Sequence, residues 1–213
     1  MTQKVRCQLA MSLDGYIAGP DQSLEDPLGR GGLELHRWLF ELDVWRSREG
    51  EDGGVVNPST PVVEEAQDAG ATIMGRKMFG GGPGPWRDDP PWEGWWGDDP
   101  PYHTPVFVLT HHPRPPMAME GGTTFTFVTD GIGSALEQAT AAAGDRAVQI
   151  GGGANVVQQY LAAGLVDELQ LHIVPMVLGA GERLLEGVGD LHLEQAGVIE
   201  APGVVHITYR VLR

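Results

Sequence analysis

The alternation of short β-prone runs with amphipathic segments constrains the fold of this chain more than any other feature. The first 165 residues predict strands at 5–11, 71–75, 106–110, 124–129 and 146–150, and helices at 33–44, 61–69, 130–144 and 154–164. Such alternation is typical of βαβ units. Residues 166–179 predict a further strand that is irregular at Pro175, followed by a hairpin around 201–203. We therefore predict an α/β fold with a mainly parallel mixed sheet and a C-terminal antiparallel hairpin.

The composition bounds the class of protein. The chain has 213 residues, 41% of them hydrophobic, which suits one globular domain with its own core. The net charge of −15 argues against a nucleic-acid partner, because such a surface needs clustered Lys and Arg. Cys7 is the single cysteine, which excludes an intrachain disulfide and a cysteine metal site. Neither a signal-peptide pattern nor a spanning apolar run is visible, so we expect a cytoplasmic protein without a membrane partner.

Four predicted strands end in polar or glycine-rich residues. In a parallel sheet these ends lie along one edge, where ligands of open α/β sheets bind. The four ends are Gly75-Arg76-Lys77, Thr110-His111-His112, Thr129-Asp130-Gly131 and Gly151-Gly152-Gly153. Together they suit a dinucleotide, with its pyrophosphate on helix N-termini and a further phosphate on a cation. Taken singly, each feature has a structural explanation: a tight turn for the glycines, solvated charges for Arg76 and Lys77, and a helix cap for Thr129 and Asp130.

Two loops interrupt the pattern, at 46–57 and at 80–105. The second is rich in Gly and Pro and holds Trp86, Trp92, Trp95 and Trp96. It either folds over its own rings, packs on a neighbouring subunit, or forms a flap that stacks on a flat substrate. We name Trp86 and Trp92 as candidate substrate-binding residues. Asp88-Asp89 and Asp98-Asp99 are expected to be solvated, and the histidines at 103, 111 and 112 lack a metal-ligand spacing, so no metal is predicted.

Five motifs resemble, in this order, those of the dihydrofolate-reductase-like superfamily. The branch is the one related to the reductase domain of the bifunctional riboflavin-biosynthesis deaminase-reductase (the RibD C-terminal-like branch). The motifs are MSLDGYIAG, MGRKMF, VFVLTHHP, VQIGGGANVVQQYL and VDELQLHIVPMVLGAGERLL. The resemblance covers residues 1–213 as one domain, with loop insertions near 44–57 and 80–104. It implies a three-layer α/β/α fold that binds NADPH and passes hydride to a small heterocycle.

The resemblance also implies a set of cofactor-binding residues. Ala10 and Ile17 would flank the nicotinamide, and Gly75, Arg76 and Lys77 would lie by the phosphates. The adenosine half would border Leu109 and Thr110, with His111 close by, and residues 151–156 would surround the pyrophosphate. The full predicted set is Ala10, Ile17, Gly75, Arg76, Lys77, Leu109, Thr110, His111, Thr129, Ile150, Gly151, Gly152, Gly153, Ala154, Asn155 and Val156.

Asp14 is the candidate catalytic and substrate-binding residue, because it matches a residue that the riboflavin branch uses near the substrate; a plain Asp-Gly turn explains it equally well. Met78 replaces a hydroxyl residue common in dihydrofolate reductases, and no acidic residue maps onto the folate-binding carboxylate. The zinc-deaminase pattern is absent.

We therefore expect a stand-alone, homodimeric NADPH-dependent reductase of a pyrimidine- or pterin-like substrate, resembling 5-amino-6-(5-phosphoribosylamino)uracil reductase. The alternatives are a non-catalytic dinucleotide-binding protein whose substrate pocket is lost or filled, and a structural protein whose tryptophan loop is an interface.

Overall fold

A computed structural model describes residues 3–48, 50–87 and 91–212. Its strands are β1 (Val5–Ser12), β2 (Tyr16–Ala18), β3 (Ala71–Gly75), β4 (Pro105–Leu109), β5 (Met117–Ala118), β6 (Thr124–Val128), β7 (Val148–Gly152), β8 (Glu168–Val174), β9 (Glu182–Arg183), β10 (His192–Ala201) and β11 (Val204–Leu212). Its α-helices are α1 (Arg37–Phe40), α2 (Asp43–Arg48), α3 (Thr60–Gln67), α4 (Arg76–Phe79), α5 (Gly131–Ala143) and α6 (Ala154–Ala162). Two 3₁₀ segments span Gly32–His36 and Glu120–Gly122.

The strands form one large mixed sheet in the order β10-β11-β8-β1-β7-β3-β4-β6-β5. The six strands from β8 to β6 are mutually parallel. The hairpin of β10 and β11 adds antiparallel strands at one edge, and β5 adds one at the other. The predicted α/β fold with a mainly parallel sheet and a C-terminal antiparallel hairpin is therefore confirmed.

Helices and loops cover both faces of the sheet. On one face α5 and α6 pack against β3, β4 and β7, around fully buried side chains such as Ile73, Ile150 and Tyr160. On the other face the helical segments of residues 32–48 and α3 surround Leu35, Trp38 and Leu42. The tryptophan loop extends that second layer over β4 and β6. The polar strand ends lie between these layers.

The single helix predicted at 33–44 is wrong. The segment is instead a 3₁₀ turn followed by the short helices α1 and α2. The break occurs because Val55 bonds the backbone on both sides of the fully buried Leu42: its N–H donates to Glu41 O and its carbonyl accepts from Asp43 N. The loop predicted at 46–57 consequently begins only after α2 ends at Arg48.

The long strand predicted at 166–179 is also shorter than expected. β8 ends at Val174, because Pro175 has no N–H to donate to a neighbouring strand. The N–H of Met176 turns back to Val174 O, and the carbonyl of Met176 accepts from Leu13 N. Similarly, α3 ends at Gln67 and not at Gly70, whose N–H donates to Ala147 O.

Candidate functional site

A cavity of about 1170 Å³ runs along the carboxyl edge of the parallel strands. The structure brings all four predicted strand ends to its wall: residues 75–77 at the end of β3, 110–112 after β4, 129 and 131 after β6, and 151 and 153 at the end of β7. The wall includes every residue predicted to bind the cofactor except Ile150 and Gly152. A single drug-sized ligand typically occupies about 300–1,000 Å³. The cavity therefore has room for a cofactor and a second molecule.

Gly75 allows the end of β3 to pack closely against the first turn of α6. A Cβ atom on Gly75 would lie 2.8 Å from Cγ2 of Val156 in α6. Gly152 has a φ of 121°, a conformation that L side chains rarely adopt. A Cβ on Gly153, by contrast, would meet no protein atom within 4 Å. The N-terminus of α6 thus faces open space in the cavity, and the first amides of a helix have no partner within the helix.

Arg76 is held flat beside the cavity. Its guanidinium carbon lies 3.2 Å from the ring centroid of Trp86, and Nε donates a hydrogen bond to Gly80 O at 3.1 Å. Burial and the nearby Arg114 lower its pKa from the usual arginine value. Lys77 is mostly exposed and pairs with Glu182 at 3.0 Å. Of the two cations, Arg76 is the one held in a defined orientation at the wall.

Ile150, one of the residues predicted to bind the cofactor, does not line the cavity. Its side chain is fully buried among α5 and α6, on the face of the sheet opposite the cavity. The cause is strand alternation, which directs Gln149 and Gly151 to the cavity and Ile150 away from it. Only the backbone of Ile150 could be near a ligand. Its place in the cofactor site stays a prediction, and a contact there would be made by its backbone.

Asp14 is not part of the cavity wall. Its carboxylate accepts hydrogen bonds from Ser12 Oγ at 2.6 Å, Leu178 N at 3.1 Å and Gly179 N at 2.7 Å. These bonds, that of Ser12 first, lower the pKa of Asp14 to about 2. The residue braces the turn after β1 against residues 178 and 179. This geometry favours the turn interpretation, and contact with substrate stays a prediction.

The tryptophan loop supplies different rings from those predicted. Trp95 and Trp96 line the cavity, whereas Trp86 and Trp92 do not. Trp86 packs edge-on against Phe79 and Phe127, and its Nε1 donates to His112 O. Trp92 donates from Nε1 to Phe79 O and lies edge-on against Trp95. Trp86 and Trp92 thus pack against other aromatic side chains of the protein. Asp88 and Asp89 lie outside the described residues, while Asp98 and Asp99 are exposed.

The sequence interpretation missed the polar floor of the cavity. Gln8, Thr72, Gln149 and His172 line the cavity from the sheet, and Val62, Val63 and Ala66 line it from α3. Trp38 also lines the cavity and packs edge-on against His172. The sequence feature that could have revealed this floor is the occurrence of polar residues at alternate positions of otherwise apolar strands. In LQLHIV, for example, Gln170 and His172 lie on the same face of the strand. In register, Gln8 pairs with Gln170 and Ala10 pairs with His172. Amide, hydroxyl and imidazole groups can thus form hydrogen bonds to a polar heterocycle.

Neither a membrane helix nor a metal cluster is found in the part of the chain that the structure describes. No helix there is long and apolar enough to span a bilayer. No group of three or more His, Cys, Asp or Glu side chains is arranged to hold a metal ion among residues 3–48, 50–87 and 91–212.

The sequence comparison shows the family of the chain, and the structure comparison shows its fold. The sequence profile of the RibD C-terminal domain matches residues 3–207. No curated protein matches the chain significantly. A Shewanella sp. PV-4 structure, described as a candidate riboflavin biosynthesis protein, is 22% identical, with a TM-score of 0.63 over 99% of this chain and 100% of that one.

Two further structures are more distant in sequence but share the fold. A pyrimidine reductase-like protein from Corynebacterium diphtheriae is 15% identical, with a TM-score of 0.53 over 99% of this chain and 92% of that one. Dihydrofolate reductase from Enterococcus faecalis, solved with NADP(H), is 15% identical, with a TM-score of 0.53 over 99% and 97% of the two chains. The expected dihydrofolate-reductase-like fold is therefore confirmed.

Proposed function

The chain belongs to the RibD C-terminal domain family, and on that premise we propose that it is an NADPH-dependent reductase of a small pyrimidine- or pterin-like heterocycle. The observation that carries this proposal is the single cavity that joins the strand ends to the polar floor. One end offers helix amides and a cation, which suit phosphates. The other offers hydrogen-bonding groups beneath aromatic rings, which suit a flat polar ring. A hydride donor and its acceptor would meet between them.

The end of the cavity that suits phosphates favours binding of NADPH over NADH. Arg76, Thr110 and His111 lie together where β3 and β4 end. Planar guanidinium groups bind phosphate with two parallel hydrogen bonds. An additional 2′-phosphate would gain this contact, whereas the hydroxyl of NADH would not. The pyrophosphate would lie on the amides of residues 153–155 at the start of α6, because the N–H of Val156 already donates to Gly153 O.

The alternative of a non-catalytic dinucleotide-binding protein requires a lost or filled substrate pocket. Gln8, Gln149 and His172 open onto the same cavity as the predicted cofactor residues. This continuity favours a reductase. Protein groups supply positioning in such chemistry, and the cofactor supplies the hydride. The riboflavin-pathway substrate stays a prediction that rests on the family resemblance. The homodimeric state stays a prediction that rests on the long C-terminal strands and the tryptophan loop.

Titration with NADPH and with NADH tests the proposal, followed by energy transfer from tryptophan to the nicotinamide and by thermal shift. We expect NADPH to bind at least about tenfold more tightly than NADH, a difference near 1.4 kcal/mol. Arg76→Ala should remove this preference. Arg210→Ala, which removes an exposed cation paired with Glu194, serves as the matched control. Binding of neither nucleotide would contradict the proposal.

A turnover assay separates the reductase from its alternative. NADPH oxidation is followed in the presence of a panel of pyrimidines and pterins. Oxidation that depends on one compound supports the reductase. Tight NADPH binding without turnover of any compound in the panel would favour the non-catalytic protein.

A further inference from the structure

Three buried polar side chains form a hydrogen-bonded chain that ends at the cavity. Ser59 Oγ lies 2.8 Å from Nε2 of His206, and Nδ1 of His206 lies 2.8 Å from Nδ1 of His172. Ser59 is 0% exposed, His206 1% and His172 8%. Of the three, His172 alone lines the cavity. Since its Nδ1 is engaged by His206, Nε2 is the nitrogen left for a ligand.

The donors and acceptors of these hydrogen bonds determine which ring nitrogen of each histidine carries the hydrogen. Burial lowers the pKa of both histidines, so both rings are neutral near neutral pH. Each ring then carries one N–H, and the contact between the two Nδ1 atoms needs one donor and one acceptor. Among the described residues, Oγ of Ser59 has His206 as its single side-chain partner. A hydroxyl that accepted from His206 would leave its own hydrogen buried and unbonded.

The chain therefore runs in one direction. Ser59 donates to Nε2 of His206, and Nδ1–H of His206 donates to Nδ1 of His172. The hydrogen of His172 consequently resides on Nε2, on the cavity side. Trp38 packs edge-on against both imidazoles, at 5.2 Å and 4.9 Å between ring centroids, and holds both rings in place.

His172 also lies next to the expected site of hydride transfer. It pairs in register with Ala10 of the adjacent strand β1. Under the proposed function, Ala10 flanks the nicotinamide. Neighbouring strands are separated by about 4.8 Å. The Nε2–H donor is thus one strand away from the predicted hydride donor, on the same face of the sheet.

We propose that His172 donates a hydrogen bond from Nε2 to the substrate atom that gains the electron pair on reduction, and that His206 and Ser59 are positioning residues that keep this hydrogen on Nε2. This inference rests on the proposed reductase function. It narrows the substrate to a heterocycle that presents a carbonyl oxygen or ring nitrogen to His172. A ring that presents an N–H there would meet another donor and bind poorly.

The electrons and protons of the step balance without a charged histidine. A bound dihydronicotinamide would supply a hydride with its electron pair, and the carbon of a C=O or C=N group of the substrate would accept it. The former π pair moves to the oxygen or nitrogen that His172 holds. Water supplies the completing proton, because loss of the Nε2 proton would leave an anion somewhere along the chain from His172 to Ser59.

The tautomer is tested directly by NMR of protein carrying isotope-labelled histidine. We expect His172 to be neutral at neutral pH with its hydrogen on Nε2. Ser59→Ala should populate both tautomers of His172, and Ser59→Thr, which keeps a hydroxyl, should restore the Nε2–H form. Backbone amide spectra establish that each variant is folded. A charged His172, an Nδ1–H form, or a tautomer unchanged in folded Ser59→Ala overturns the inference.

The contact with substrate is tested with NADP⁺ bound and with dimethylpterin and diaminouracil as probes. We expect one of them to shift the Nε2–H signal of His172 and to bind about tenfold more weakly to His172→Phe. His172→Gln, which keeps an N–H donor, should recover part of the affinity. NADPH affinity of the same variants should change less than about twofold.

The two proposals fail in different ways. If NADPH does not bind the wild-type protein, the reductase function is contradicted while the tautomer measurement stands by itself. If NADPH binds but neither probe perturbs His172, the reductase function stands and the role proposed for His172 is overturned.

Discussion

Gly75 lies so close to Val156 that a Cβ atom on the glycine would be 2.8 Å from Cγ2 of the valine. This contact joins the end of β3 to the first turn of α6, the two elements that bound the predicted phosphate end of the cavity. We predict that Gly75→Ala destabilises the protein by about 1–3 kcal/mol, because overpacking displaces the helix. It should also weaken NADPH binding. Urea unfolding and nucleotide titration measure the two effects.

The control for this substitution lies in α5. A Cβ on Gly133 would meet nothing within 4 Å, and its φ is not positive. Gly133→Ala should therefore stabilise the protein by about 0.5–1 kcal/mol. The double variant Gly75→Ala/Val156→Ala should be less destabilised than the sum of the single changes. Additive effects would contradict the steric explanation.

The buried histidines make stability sensitive to mild acid. Burial lowers the pKa values of His36, His172 and His206 in the folded protein. The unfolded chain takes up protons below about pH 6.5, where the native rings stay neutral. The free energy of unfolding should thus fall as the pH falls below this value, by at most about 1.4 kcal/mol per pH unit for each such histidine.

Urea unfolding at a series of pH values around and below 6.5 measures how steeply the free energy of unfolding changes with pH. His206→Asn should reduce this slope, and a change in slope is meaningful even if the variant is less stable at neutral pH. His192, which is exposed, provides the control as His192→Asn. Equal slopes for the wild-type protein and His206→Asn would contradict the assignment of neutral, buried rings.

Asp14→Asn separates the two interpretations of that residue. The carboxylate accepts from two backbone amides and a hydroxyl, and an amide can reproduce only part of this set. We predict a lower Tm and an NADPH affinity within about threefold of wild type. Calorimetry and titration measure these quantities. An unchanged Tm together with lost turnover would instead support the catalytic role that the family resemblance implies.

Trp86 should matter for cofactor binding although it does not line the cavity. Its ring orients Arg76 by stacking, and such contacts contribute about 0.5–2 kcal/mol. Trp86→Leu should weaken NADPH binding by about three- to thirtyfold and leave NADH binding nearly unchanged. Trp86→Phe, which keeps an aromatic face, is the matched control. Calorimetric titration with both nucleotides makes the comparison, and equal losses for the two would contradict an effect transmitted through Arg76.

The parallel sheet could be predicted because its signals are local. Short apolar runs that alternate with segments of helical periodicity can be recognised from neighbouring residues alone. The same is true of the glycines at 151–153. The break after Phe40 could not be predicted in the same way. It depends on Val55, which reaches back to bond Glu41 and Asp43. Contacts between distant segments override the local helical pattern.

The orientation of the tryptophans in the loop could not be predicted from the sequence for a similar reason. Trp86 and Trp92 do not line the cavity, and their indole N–H groups donate to the carbonyls of His112 and Phe79. Proline and glycine mark the loop but do not fix its path. His172 was predictable in principle, since a polar residue two positions after Gln170 in an apolar strand indicates a polar patch on one face.

The central position of β1 has a consequence for the synthesis of the protein. Residues 5–12 are synthesised long before their partners β7 and β8, which begin at residues 148 and 168. This interior strand of the sheet must therefore stay unpaired while more than half of the chain is made. Such long-range pairing slows folding and exposes apolar strand edges to aggregation. Nascent chains of this protein should accordingly engage chaperones until β8 emerges and joins Ala10 to His172.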